Sequence, residues 1–298
     1  MRRQSHWFHA AALAALAALA LLTAWLPGVA TAGEGCTNDA AQAGLHSAAA
    51  EDVASQMIEA HGGLDAWRMK PTVSYKHTLV APYEPDDPWV SVEVVDQRTR
   101  REYQDWPLDG SRIVSDGHEV WSVNWKRANP PKFMVNMAYY FINLPWLTQD
   151  DGVILEGPGE GTLPNDDKTY ITLMMTFAAG TGDAPDDYYK IFIDPDTGLM
   201  KAAEYIVTYG AMLDLMQMPP EQTFMGPLTK VYDDYQTIDG LTVPSSYRTY
   251  GPDGNVYGEH KVENVSFSKK FDVSQLKKPA GAVVDKSSSR RAVASNDM

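Results

Sequence analysis

The sequence predicts a mainly β domain of the α+β type, an antiparallel sheet curled around an apolar interior and covered by a few short helices. Three observations predict it. About ten segments alternate apolar and polar side chains, short turns rich in Asp, Pro and Gly join them, and two dense apolar stretches interrupt the rhythm. A chain of 298 residues, 44% of them hydrophobic, can bury one large core. The net charge of −14, from 25 basic and 39 acidic residues, repels phosphate backbones and makes nucleic acid an unsuitable partner. One cysteine, Cys36, excludes an intrachain disulfide framework and any multi-cysteine metal site.

Residues 1–32 have the parts of a secretory signal peptide: Arg2 and Arg3, an apolar run from Ala10 to Leu26, and Ala30-Thr31-Ala32 as the cleavage site. Pro27-Gly28 and the small-residue site argue against retention as a membrane anchor. A periplasmic, secreted protein is expected. Lipidation at Cys36 is not, because Gly33-Glu34-Gly35 places an acid where a lipidation signal needs aliphatic and small residues. Residues 33–46 read as a flexible leader, 47–276 as the folded domain and 277–298 as a disordered tail.

Within the domain, Ser47 caps a helix with Glu51 and Asp52 in its first turns and Val53, Met57 and Ala60 as its buried stripe, ended by Gly62-Gly63. Trp67 follows in a short apolar turn, and the pair is expected to plug the sheet. His61, Gly62, Gly63 and Trp67 are expected to be structural, with His61 capping carbonyls at the helix end. Alternation then sets in at Val73, Tyr75, His77 and Leu79, continues through Val90, Val92 and Val94, and runs from Arg100 to Tyr103 and around an Asp116-Gly117 hairpin. A second series covers 170–177, 188–193, 200–209, 230–237, 241–250 and 256–267. The two interruptions, 132–147 and 211–228, read as short helices or covering loops, the first aromatic and closed by Pro145-Trp146, the second rich in methionine around Pro219-Pro220.

No phosphate loop, GxSxG elbow or HExxH is present, so no catalytic residue, metal ligand or cofactor is assigned. His46, His61, His77, His118 and His260 are far apart in sequence and read as isolated packing or polar groups. Asp194-x-Asp196-x-Gly198 lacks the downstream glutamate of a calcium loop and reads as a hairpin turn. A carboxylate- or metal-dependent envelope hydrolase remains an alternative, with Asp194 and Asp196 or Asp186 and Asp187 as its acids. What stands out is apolar: Tyr140, Phe141, Leu144, Trp146, Met174, Met212 and Met216 are expected to wall and cover a cavity for a lipid or the acyl part of a lipoprotein.

The segments Ile58-Glu59-Ala60-His61-Gly62-Gly63-Leu64-Asp65-Ala66-Trp67, Tyr140-Phe141-Ile142-Asn143-Leu144-Pro145-Trp146 with Asp150, and Asp186 to Gly198 resemble an uncharacterised bacterial family, DUF6503, related to the outer-membrane lipoprotein carriers LolA and LolB. The resemblance spans most of residues 50–270. It implies an incomplete, strongly curved antiparallel barrel whose open side is plugged by helices, a hydrophobic cavity for acyl chains, and no catalytic residue. The wider group also holds envelope sensors, so another envelope protein as partner, or peripheral contact with a membrane, is compatible with it.

Overall fold

The computed structural model describes residues 47–291 apart from Asn165 and Asp183; the expected signal peptide, the leader with Cys36 and the last seven residues of the tail lie outside the described residues. The fold is one antiparallel sheet of 13 strands, open at both edges. Two meanders build it. The first is β1 (Thr72–Val80), β2 (Trp89–Asp96), β3 (Glu102–Trp106), β4 (Ser111–Ser115) and β5 (Val120–Val123). The second is β6 (Val153–Leu163), β7 (Asp166–Phe177), β8 (Tyr189–Ile193), β9 (Met200–Val207), β10 (Met225–Ile238), β11 (Leu241–Tyr250) and β12 (Val256–Ser266). Pairing of β1 with β12 joins the first strands of one to the last of the other. The sequence pattern misses β6 because Gly157-Pro158-Gly159 interrupts it. That interruption falls at a register shift in an edge strand, where a missing N–H costs no ladder bond.

Helix α1 (Ala48–Ala60) starts at the expected cap, with Ser47 Oγ accepting from Ala50 N at 3.2 Å. Its buried stripe is Ala50, Ala54, Met57 and Ile58, with Val53 and Ala60 at the margin. At Gly62 (φ +107°) a Cβ would overlap the carbonyl oxygen of Gly240, so only glycine lets the chain turn there against the β10–β11 hairpin. Helix α2 (Leu64–Arg68) then buries Trp67.

The aromatic interruption becomes α3 (Pro131–Met134) and α4 (Met137–Leu147), and the methionine-rich one begins as α5 (Gly210–Leu215). Nine of the eleven residues of α4 are buried, as a helix apolar on all sides must be. Pro145 does not end it. Proline has no N–H for the carbonyl of Phe141 four residues back, and that carbonyl accepts from the Tyr232 hydroxyl instead, at 2.7 Å. The helix defect thus becomes its tie to β10.

Both faces of β2–β5 are covered. Val94, Tyr103, Val114 and Trp121 form a cross-strand row on the outer face, packed by Phe271, Leu276, Ala282 and Val284. Val90, Val92 and Val94 of β2 therefore face outward rather than into the interior, where Glu93 and Val95 point. The segment 277–291, expected to be a disordered tail, supplies Ala282 and Val284 of this cover. Its β13 (Val283–Val284) pairs with β5, and its end runs over α5 through Ser289 O to Gly210 N (2.7 Å) and Ser288 O to Ala211 N (3.0 Å).

Candidate functional site

The interior of the sheet has two halves. In the first, the rings of Trp67 and Trp146 stack at 5.9 Å. Trp67 Nε1 donates to Asn143 Oδ1 (2.9 Å) and Trp146 Nε1 to the carbonyl of Gly63 (3.2 Å). His61 ties α1 to two strands, its Nδ1–H donating to Thr242 O (2.7 Å) and its Nε2 accepting from Met200 N (3.0 Å). The imidazole does not cap its own helix: only its backbone N–H reaches back, to Met57 O and Ile58 O. Burial lowers its pKa to about 4, so it is neutral and contributes no charge to the helix dipole.

The second half is polar. On six adjacent strands the inner face carries Glu102 and Gln104 (β3), Ser91 and Glu93 (β2), His77 (β1), His260 (β12), Thr249 (β11) and Lys230 (β10), all buried. Glu93 accepts from Tyr75 OH (2.8 Å) and Ser91 Oγ (2.5 Å). Glu102 accepts from Gln104 Nε2 (2.8 Å) and from Asn136 N (2.5 Å), just ahead of α4. Burial pushes both carboxyls up, Glu102 further because Glu93 faces it. His77 and His260, 183 residues apart, are not isolated: Nε2 of one lies 3.0 Å from Nδ1 of the other, and Tyr247 OH reaches His77 Nε2 at 3.2 Å. This row escapes sequence reasoning because polar residues on strands read as the solvent side. Its one legible trace is His77, in phase with the buried Val73 and Tyr75.

The seven expected wall residues separate. Leu144 and Trp146 are fully buried in the main core, and Tyr140 packs against its margin with its ring 5.1 Å from that of Tyr189. Phe141 and Met212 come together in a second cluster with Tyr205, Val207 and Tyr209, between the helices and β9. Met174 does not join them. Strand alternation puts it on the face of β7 opposite Leu173 and Met175, paired with Lys190 and Glu156. Met216 caps α5 at 40% exposure, with Leu215 and Phe224 exposed nearby.

Two arginines add side-chain ties to the packing of the cover. Arg100, in a left-handed conformation between β2 and β3, donates through Nη2 to both carboxylate oxygens of Asp150 just beyond α4 (2.9 and 2.8 Å) and through Nη1 to the hydroxyl of Tyr139 on α4. Arg291 straps the loop after α5 through Met218 O (2.6 Å), Pro219 O (2.7 Å) and Asp214 (2.8 Å). Two clefts, of about 250 and 510 Å³, lie beside α2 and are lined mainly by polar side chains such as Arg98, Arg100, Glu51 and Glu59. The hydrolase candidates sit elsewhere. Asp194 and Asp196 occupy the β8–β9 turn, paired to Lys168 at 2.8 and 2.6 Å, while Asp187 binds Thr208 and Asp186 is exposed. His118 lies on an exposed hairpin, and no group of three His, Cys, Asp or Glu among the described residues is arranged to hold a metal.

No family model and no curated protein matches the chain. Solved structures do. A LolA-superfamily protein from Nitrosomonas europaea is 11% identical, with 77% of this chain and 97% of that chain covered and a TM-score of 0.49. A DUF1329 family protein from Desulfovibrio piger is 11% identical over 76% and 97% of the two chains, TM-score 0.45. A putative outer-membrane lipoprotein-sorting protein domain from Vibrio parahaemolyticus is 7% identical over 73% and 97%, TM-score 0.42.

Proposed function

We propose that the protein is an extracytoplasmic, non-catalytic binding protein that takes a lipid, or the acyl part of a lipoprotein, into the interior of its open sheet. The observation that carries this reading is the second apolar cluster. Phe141 and Met212 meet Tyr205, Val207 and Tyr209 at the seam between sheet and cover, and the cover is fastened by a handful of side-chain and backbone ties rather than by a strand ladder. An acyl chain gains about 0.8 kcal/mol per methylene buried, so a wall of unbranched and aromatic side chains suffices to hold it. Phe141, Tyr140 and Met212 form that wall, Leu144 and Trp146 its fixed floor, and Met216 part of its rim. The interior is packed in the closed state, so entry requires α5 and the start of α4 to lift. The N-terminal signal features support secretion to the periplasm. The hydrolase reading loses support, because Asp194 and Asp196 are paired to Lys168 on the β8–β9 turn, Asp187 is bonded to Thr208 and Asp186 is exposed.

The test is native mass spectrometry of protein recovered from the periplasm, with extraction of whatever is bound, followed by titration with a fluorescent fatty acid. Co-purified lipid, and probe binding that Met212→Asp weakens at least about tenfold, are expected. Absence of lipid together with negligible probe binding overturns the proposal.

A further inference from the structure

The polar half of the interior holds one basic side chain without an acidic partner among the described residues. Lys230 is 5% exposed, and among the described residues no carboxylate lies within ion-pair distance of it. Its ammonium donates to Thr249 Oγ1 at 2.8 Å and lies 3.5 Å from His260 Nε2. It also lies over aromatic faces, Phe141 at 4.4 Å, Tyr247 at 5.1 Å and Tyr205 at 5.8 Å from the ring centres.

The Thr249 hydroxyl, which accepts from Lys230, also lies 2.9 Å from His260 Nε2. His260 Nδ1 in turn lies 3.0 Å from His77 Nε2, which Tyr247 OH reaches at 3.2 Å, so the ammonium heads a continuous polar row. Among the described residues, Thr249, His260 and the rings of Phe141, Tyr205 and Tyr247 around the amine carry no negative charge. Burial and Lys230 itself hold both imidazoles uncharged, His77 with a pKa of about 3. The row's two glutamates stand on β2 and β3, at its far end, and engage each other.

An ammonium sealed among neutral groups is costly, so burial favours the neutral amine, and an anion brought against Nζ would restore the charged form. The side facing the cover is closed by a ring that rides on α4, and Tyr205 belongs both to this cage and to the apolar cluster below α5. Head-group position and acyl wall are therefore continuous.

We propose that Lys230, backed by Thr249, anchors the anionic head of a single-chain amphiphile, a long-chain carboxylate, which takes the place of the Phe141 ring over the ammonium. This rests on the acyl-binding reading above and adds to it a polar recognition point and a direction, head inward at β10 and tail outward toward α5. Binding and opening are then coupled, since the anion reaches Nζ only when Phe141 moves with α4.

The full mature chain, stripped of lipid, is loaded with a neutral fluorescent probe and titrated with palmitate, methyl palmitate and a single-chain lysophospholipid. Palmitate is expected to displace the probe at a concentration about tenfold below that of its methyl ester, a gap that a charge-assisted hydrogen bond produces. Lys230→Met is expected to remove the gap while leaving the ester curve and the circular dichroism unchanged, and Thr249→Val to narrow it. Tighter displacement by the lysophospholipid than by palmitate would make the head a phosphate rather than a carboxylate and overturn the carboxylate assignment. Equal displacement by acid and ester in the native protein, or a gap that persists in Lys230→Met, overturns the anchor and leaves the acyl-binding reading in place. Displacement by none of the three overturns both.

Discussion

Five adjacent strands change character across one line. Along β1 the inner face goes from Tyr75 to His77, along β2 from Val95 to Glu93, along β12 from Val262 to His260, along β11 from Tyr247 to Thr249 and along β10 from Tyr232 to Lys230, and every one of these side chains is buried. On one side lie Trp67, Trp146 and the α1 stripe, which fill space and leave no charge. On the other lie two carboxyls, two imidazoles and an ammonium. A core built only for stability has no use for the second set, since apolar side chains of similar size would hold the same sheet at lower cost. The α1 side fills space with apolar groups, whereas the Lys230 side buries polar and titratable groups whose desolvation opposes folding.

The sharpest way to break that contrast is to remove matter from each side. Trp146→Ala, at a fully buried ring stacked on Trp67, is expected to cost about 3–5 kcal/mol in urea or thermal unfolding. A change under about 1 kcal/mol would show the ring is not part of the packing. Lys230→Met should move stability the other way, raising it by on the order of 1–4 kcal/mol at pH 7 as the buried charge is replaced by an apolar chain of similar length. Burial holds the Lys230 pKa down at about 7. A destabilised Lys230→Met would mean the ammonium supports the fold and would dissolve the distinction between the halves.

Acid provides a subtler probe. The His61 imidazole titrates near 6.5 when unfolded and near 4 when folded, so the unfolded chain binds more protons in that window. Its stabilising contribution is complete above about pH 6.5 and is lost as pH falls toward 4, roughly 2 kcal/mol between pH 7 and 5. His77 acts with the same sign, whereas Glu93 and Glu102, with raised pKa values, gain relative stability as they protonate. The measurement is therefore the difference between native protein and His61→Gln in urea midpoints at pH 7 and pH 5. Parallel curves would show that His61 is not buried neutral. The smallest effect expected is that of Arg100→Gln. Its ion pair with Asp150 is partly exposed, with 31% and 41% of the two side chains accessible, so the loss should stay within about 1 kcal/mol. The same variant should speed probe entry in stopped-flow mixing, because the clasp on α4 is gone.

The sheet, its hairpins and the two helical covers were legible because period-two alternation and Asp-Gly turns are local signals. The α1 cap at Ser47 and the turn at Gly62-Gly63 were legible for the same reason. Strand β6 was not, because Gly157-Pro158 looks like a loop unless the strand is known to lie at an edge. The placement of the seven expected wall residues was legible only in part: density of aromatics and methionines located the covers, yet did not say that Trp146 packs into the main core or that Met174 lies on the opposite face of β7 from Leu173 and Met175.

The chain by itself determined which segments extend, where they turn, and that two apolar runs must be buried somewhere. Tertiary structure decided which face is inside. Alternation specifies two faces of a strand without labelling either, and the label comes from distant segments: residues 271–284 cover the outer face of β2–β5, which turns Val94 outward and Glu93 inward. The meeting of His77, His260 and Lys230 is equally nonlocal, because it depends on the pairing of β1 with β12, of β12 with β11 and of β11 with β10 across more than 150 residues. No propensity or spacing encodes that closure; it follows from the burial of both meanders against one set of helices.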